Sequence, residues 1–474
     1  MSKAVIYVVI VAALLSLSCT QERTSEVTPR ALVNGLENEL ERLDRACRLE
    51  MWKRFVHGGI DSLEYYRMLR GDLFMNDSLW SEIKTSRLSV DDERLARKLD
   101  LLYWRFLLER IERQPSLRRL TDSLRAILDS DSRRAGYRIN EGIFEAMAGA
   151  VRYRNQAARE SGFNSYYTLH MQALALETAW ADDLLAALER RLIGQQFAPT
   201  AFPDSLMAAD RQLAAVKSIF RNIGFDLARL PIYPAAVEKT SMVPAARTLV
   251  IHCPDDVRIL HDLQDGSGSF KALFEAVGKA VYFTQTAEDD YLFVAPTPDF
   301  WWLVGSTIFG GLIDDSSVSG AFTLVSGPIG RDLTAMESET IRSKFVMAAF
   351  EKIIYTEPYG GFRDKYDKIS GAIGRPAESG ERLSRSEMYH LVFDPLYYLD
   401  HLMAEAMAAQ LLAFYQRQFG PDFEPGDPAA FLAADVFPSN NRYDRGQVLL
   451  TVTGENFTPD YFIARLPVSS PSPE

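Results

Sequence analysis

The sequence predicts a mostly α-helical protein with one small β element. Three observations carry that expectation. Apolar residues recur at spacings of three and four through much of the chain. One stretch near residue 250 is instead β-branched and is punctuated by Pro254-Asp255-Asp256. No Pro/Gly-rich linker is long enough to part independent domains, so a single large body is the simplest organisation.

The chain starts with Lys3, the apolar run Ala4 to Leu15, and Ser16-Leu17-Ser18-Cys19. A charged, then apolar, then small-residue order is that of a secretory signal peptide, here residues 1–18. The run is shorter than the roughly 20 apolar residues of a membrane-spanning helix. The small residues before Cys19 resemble the bacterial lipoprotein box, with Ser16 where Leu is usual. That resemblance implies acylation of Cys19 and a place in the bacterial cell envelope, lipid-anchored or else periplasmic or secreted. The membrane is then reached only through the lipid anchor. Residues 19–30 are polar and aperiodic and read as a tether.

From Ala31 onward Leu32, Leu36, Leu40 and Leu43 share one helical face. Asp91 to Glu112 and Ser116 to Ser130 repeat the pattern, separated by Pro115. Glu141 to Ser161, Leu176 to Leu192 and Asp204 to Arg221 are helical in pattern as well. Thr248 to Cys253 and Val257 to His261 read as a hairpin or strand pair, and a helix follows over Phe270 to Phe283. Tyr291-Leu292-Phe293-Val294 reads as a further strand, stopped by Pro296 and Pro298. Helical pattern returns over Glu337 to Ile354, and Tyr389 to Phe414 is the longest apolar run of the C-terminal half. Residues 31–466 are expected to form one domain, and 467–474 a disordered tail.

Composition narrows the function classes. With 474 residues, 47% hydrophobic and 24% charged, the chain is ordinary globular material. A net charge of -12 without any basic stripe excludes a nucleic-acid partner. Three cysteines, Cys19, Cys47 and Cys253, make neither a disulfide framework nor a thiolate zinc site. Cys47 and Cys253 either pair or, as free cysteines commonly are, stay as buried thiols. No G-x-S-x-G elbow marks a serine hydrolase.

The run Ala272-Leu273-Phe274-Glu275-Ala276-Val277-Gly278-Lys279-Ala280-Val281-Tyr282 resembles the metal-binding helix of the gluzincin zinc peptidases, in particular their angiotensin-converting-enzyme-like and oligopeptidase-like groups. Leu273, Phe274, Gly278 and Tyr282 fit. Where the family carries H-E-x-x-H, Glu275 and Lys279 replace the two histidines and Ala276 the general-base glutamate. Downstream, Phe300 and Gly305 fit an F-x-E-x-x-G-like segment, but Trp302 stands at the third zinc ligand. Other pieces follow in order. Asp256-Val257-Arg258-Ile259 looks like the edge strand that holds substrate backbone. Arg154-Asn155, Ala158-Arg159 and Gly162-Phe163 resemble an R-N-x-x-A-R-x-x-G-[FY] stretch. Phe345 to Tyr355 resembles a Phe/Lys/Tyr-rich helix, and Trp52 with Gly58-Gly59 an N-terminal helix end. Met388-Tyr389-His390 and Pro395-Leu396-Tyr397-Tyr398 resemble a substrate-binding His and Tyr segment.

The resemblance implies two helical lobes flanking a cleft, with His390, Tyr397, Tyr398 and Arg258 as substrate-binding positions. It also implies that the reaction machinery is gone. A catalytic zinc needs two imidazoles a helical turn apart, a third protein ligand and an open water position. None of the six histidines lies four residues from another, and no His-Glu pair occurs. The family's second tyrosine falls on Asp400 or His401, so no phenolic donor is left for an oxyanion. Glu275, four residues before Lys279, is placed for a helix ion pair, and Trp302 either fills the emptied site or simply packs in the core. The expectation is therefore no bound zinc and no catalytic residues. The leading reading is a pseudopeptidase that binds a peptide or protein. The alternatives are an active metallopeptidase with non-standard ligands and a structural envelope lipoprotein with a filled cleft.

Overall fold

The computed structural model describes residues 28–58, 62–130, 141–193, 208–237, 245–286, 290–294, 300–313, 328–373, 385–419 and 427–466. The expected signal peptide, Cys19, nearly all of the tether and the 467–474 tail lie outside the described residues.

The N-terminal half is helical where its apolar period says so. Helix α1 (Pro29–His57) buries Leu32, Leu36, Leu40 and Leu43 along one face. The Thr28 hydroxyl accepts from the Ala31 amide at 3.3 Å, and Pro29 sits in the first turn, where its missing N–H costs nothing. Gly58, at φ 63°, ends the helix by donating its N–H to the Arg54 carbonyl. Then come α2 (Leu63–Met75), α3 (Asp77–Arg87), α4 (Glu93–Glu112) and α5 (Pro115–Ser130). They are followed by α6 (Glu141–Glu160), α7 (Tyr166–Ala173), α8 (Thr178–Leu192) and α9 (Ala209–Asn222). Asp92 caps α4 through the Leu95 amide at 2.9 Å, and Pro115 opens α5.

Three strands form one sheet in the order β1-β3-β2: β1 (Ile232–Ala236), β2 (Ala246–His252) and β3 (Asp256–His261). The hairpin expected from the sequence is the antiparallel β2–β3 pair, with Thr248 opposite Ile259. Strand β1 runs parallel to β3 and was not expected. Its end, Pro234-Ala235-Ala236, has low strand propensity, and Pro is tolerated there because β1 is an edge. This topology corrects one reading: Asp256 to Ile259 lies in the central strand, and among the described residues the outer strands are β1 and β2. A second correction concerns Tyr291 to Val294, which is a helical turn, not a strand. All four side chains are buried, and a short apolar run carries no period that separates helix from strand.

The C-terminal half continues with α10 (Ser267–Thr284), α11 (Trp301–Ile313), α12 (Pro328–Thr356) and α13 (Phe362–Ala372). Next are α14 (Arg385–Phe393), α15 (Tyr397–Phe419), α16 (Arg445–Thr453) and α17 (Asp460–Arg465). The protein is mostly helical with a small sheet, as the sequence predicts. Cys47 and Cys253 are both free thiols, Cys47 buried, and the Cys253 thiol donates to the Phe283 carbonyl at 3.0 Å. Among the described residues no helix is long and apolar enough to cross a membrane.

Two buried polar junctions tie the helices together. On α1, Asp44 faces Arg105 of α4, Arg70 of α2 and Arg48, and accepts from the Tyr291 hydroxyl. Burial alone would raise its carboxyl, but the three guanidiniums outweigh it and hold it well below the usual carboxylate range. On α6, Arg154 is fully buried and donates to both oxygens of Glu112 at 2.7 Å, to the Tyr355 hydroxyl at 3.1 Å and to the Val392 carbonyl at 2.7 Å. One side chain thus joins α4, α6, α12 and α14. Asn155 beside it donates to the Tyr355 carbonyl and accepts from the Tyr166 amide.

Candidate functional site

Helices α10 and α11 pack closely because glycines stand where they touch. A Cβ at Gly278 would lie 2.8 Å from the Phe309 ring, and one at Gly305 would lie 3.1 Å from the Tyr282 ring. Thr248 of β2 donates its hydroxyl to the Ala276 carbonyl at 2.6 Å, which ties the sheet to the same turn of α10. We expect Gly278→Ala to destabilise the fold by about 1–3 kcal/mol through overpacking, less the roughly 1 kcal/mol that Ala gains over Gly in a helix. Gly371→Ala in α13 is the comparison, since nothing lies within 4 Å of its Cβ. Opposite shifts of the denaturation midpoint in the two variants check the point.

This packing carries Lys279 to Trp302. The Lys279 ammonium lies 3.3 Å from the centroid of the Trp302 ring, a close cation–π contact. Glu275, one turn earlier, is exposed. Among the described residues no ion pair joins Glu275 to Lys279, and the ammonium lies on the indole. Ala276 is buried and carries no titratable group.

Two residues that the sequence reading did not single out complete the centre. Lys344 of α12 forms an ion pair with Glu405 of α15. Burial would lower the Lys344 ammonium, but Glu405 and then Glu275 outweigh it, and the net shift is upward. The second Glu405 oxygen is buried without a hydrogen-bond partner. The available signal was Glu405, a glutamate inside the otherwise apolar window Leu402 to Ala409.

Aromatic rings line the α14–α15 side. The His390 ring stacks on Tyr397 with centroids 3.8 Å apart and planes 8° from parallel, and its Nδ1 lies 2.9 Å from Asp394. Tyr397 also touches His401, at 4.2 Å between centroids. Burial, then Lys344, His390 and Lys279, push the His401 pKa well below its ordinary value, so this imidazole is neutral at pH 7. Burial pushes the Tyr397 phenol up to about 12. His401, not Asp400, therefore faces the centre; the Asp400 carboxylate accepts from or pairs with His170 Nε2 at 3.0 Å.

Tyr398 belongs to the same aromatic cluster, edge-on to His390 at 6.0 Å and to Tyr397 at 5.2 Å between centroids, and Arg258 lies apart. Tyr398 is buried, its phenol raised by burial first and then by Glu387 and Glu351. Arg258 is bound to Asp256 at 2.8 Å through both Nε and Nη2 and stacks over Trp52 of α1. Its side chain packs the sheet against the N-terminal helix. A separate cavity of about 140 Å³, lined by Arg48, His252 and Tyr291 among others, lies between α1 and the β2–β3 turn. It shares none of these residues.

No protein-family model matches the chain, and no curated protein matches it. Solved structures do. The M32 carboxypeptidase of Deinococcus radiodurans R1 superposes with a TM-score of 0.67 at 13% identity, over 92% of this chain and 98% of that one. This chain shares the fold of that carboxypeptidase. A carboxypeptidase of Pyrococcus furiosus gives 0.69 at 13% identity over the same shares of each chain. Metallocarboxypeptidase 1 of Trypanosoma cruzi gives 0.60 at 12% identity, over 92% and 99%. These likenesses support peptidase-like architecture at the level of fold. They point to carboxypeptidases and do not single out the angiotensin-converting-enzyme-like or oligopeptidase-like groups.

Proposed function

We propose that this protein is a non-catalytic relative of the metallopeptidases that binds a peptide or protein segment in the cleft of its fold, at the bacterial cell envelope. The observation that carries the reading is the Lys279 ammonium held 3.3 Å over Trp302, where the motif resemblance assigns two zinc ligands. The residues present do not fit zinc. Two ammonium groups, Lys279 and Lys344, act on His401 and would repel a dication there. Among the described residues no three His, Cys, Asp or Glu side chains converge as a ligand set. The envelope location is supported by the order Lys3, Ala4 to Leu15, Ser16 to Cys19.

What persists is a surface suited to binding: the His390–Tyr397 stack, the Trp302 face and the flanking charges. The test is incubation of purified protein with a diverse peptide mixture, with and without added zinc, read by mass spectrometry beside a metal assay of the protein. Retention without cleavage, and less than stoichiometric zinc, are the expected results. Chelator-sensitive cleavage that disappears in Glu275→Ala would overturn the reading in favour of an active enzyme with unusual ligands. Neither retention nor cleavage would point to a structural envelope protein.

A further inference from the structure

The cavity between α1 and the β2–β3 turn holds an electrostatic mismatch. Strand pairing slips by one residue between Val250 and His252, a β-bulge that bends the end of β2. Beyond it His252 lines the cavity together with Glu41 of α1 and Asp255 of the turn. The two ring nitrogens of His252 face the two carboxylates: Nε2 lies 3.3 Å from Glu41, and Nδ1 lies 3.6 Å from Asp255. A neutral imidazole carries one N–H, so it serves only one of them. The other carboxylate then meets a lone pair. Among the described residues neither Glu41 nor Asp255 has any other ion pair or side-chain hydrogen bond.

The rest of the wall is already satisfied. Arg48 stands about two turns along α1 from Glu41. It donates to the Val250 carbonyl and, at 3.3 Å, to the Tyr291 hydroxyl, and its charge lies 3.6 Å from Asp44. The Cys253 thiol is turned to the Phe283 carbonyl. The unanswered charge in the cavity is therefore negative, and it is divided between two carboxylates on either side of one ring. A metal ion needs donors that converge, and among the described residues no three His, Cys, Asp or Glu side chains do so. Two separated carboxylates fit an extended organic cation with a positive group at each end. The cavity, about 140 Å³, has room for about five water-sized groups, and Val250, Tyr291 and Val294 give the span between the charges apolar walls.

We infer that this cavity binds a short aliphatic diamine of about four carbons, with one ammonium on Glu41, the other on Asp255 and a neutral His252 between them. The site shares no residue with the Lys279–Trp302 centre, and it stands or falls independently of peptide binding.

The experiment is titration calorimetry on the purified full chain, near neutral pH and at low salt, with 1,4-diaminobutane, 1-aminobutane, butane-1,4-diol and succinate. The diamine is expected to bind, the monoamine to bind about tenfold more weakly, and the diol and succinate not to bind. Asp255→Asn and Glu41→Gln should each bring the diamine to about the affinity of the monoamine, and added salt should weaken diamine binding. The Asp255 side chain is 77% exposed, so Asp255→Asn should melt with wild type, which separates loss of binding from loss of fold. Equal binding of diamine and monoamine would leave one carboxylate at work and overturn the diamine class. Binding of succinate would place the ligand on Arg48 and His252 and overturn the sign of the site. Diamine binding that survives in the Glu41→Gln, Asp255→Asn double variant would put the amine elsewhere. Binding of none of the four would mean that a doubly protonated His252 answers both carboxylates itself, and the site would be lost.

Discussion

Replacing Arg154 with Met is expected to cost about 3–5 kcal/mol, the usual result of removing one partner of a buried ion pair. The side chain is fully buried and donates to Glu112, Tyr355 and Val392, which belong to α4, α12 and α14. Met fills a similar volume, so the loss comes from unpaired acceptors rather than from a cavity. The Glu112 carboxylate, 30% exposed, recovers some hydration, while the Tyr355 and Val392 oxygens stay buried with nothing in place of the guanidinium. Domains are stable by only about 5–15 kcal/mol, so the variant should be marginal at 37 °C. Denaturant unfolding of wild type, Arg154→Met, Glu112→Leu and the double variant measures the effect. The double variant should be more stable than Arg154→Met, because it removes the orphaned charge. If Arg154→Met unfolds within 1 kcal/mol of wild type, the junction does not hold these helices together.

The same residue shows what was legible in the sequence. Arg154-Asn155 stood out through a family-like stretch, and the structure gives it a physical meaning: a buried arginine and asparagine joining distant helices. Gly162 in that stretch has φ 92°, which few residues other than glycine adopt, so the end of α6 was written in the chain as well. The α1 face, the Pro115 boundary and the β2–β3 hairpin were readable because period and punctuation are local signals. Strand β1 was not, since Pro234 and two alanines give no strand pattern. Polar pairing across the fold was not readable either. Lys344 meets Glu405 from 61 residues away, and Asp44 meets Arg105 across the same separation. Nothing in a local window announces such a partner. The pairing of Glu275 with Lys279 looked favourable from spacing alone, whereas the contact of Lys279 with Trp302 depends on the α10–α11 packing.

Glu351 of α12 should make the protein lose stability as pH rises, the reverse of an ordinary salt-bridged carboxylate. The residue is 1% exposed. One carboxyl oxygen accepts from the Tyr398 and Leu399 amides at the start of α15, at 3.0 and 3.2 Å, and the other is buried without a partner. Burial raises its pKa, and Asp400 and Asp394 add to that. The two amides pull the other way without winning, so the net value is well above the usual range. The folded state then holds a proton that the unfolded chain gives up near pH 4.3. Its contribution is fully present below that pH and declines as pH rises toward the folded pKa, by about 1.4 kcal/mol per pH unit for one proton. Asp44 has the opposite sign: its depressed pKa gives stability above about pH 3.9 that is lost in acid. The two are separated by Glu351→Gln, which keeps the acceptor to both amides and cannot ionise. Denaturation midpoints measured from pH 4 to 8 should fall in wild type relative to Glu351→Gln, so that the difference between the two curves widens steadily with pH. Parallel curves would mean that Glu351 is already ionised in the folded protein, and that the α15 amides outweigh burial.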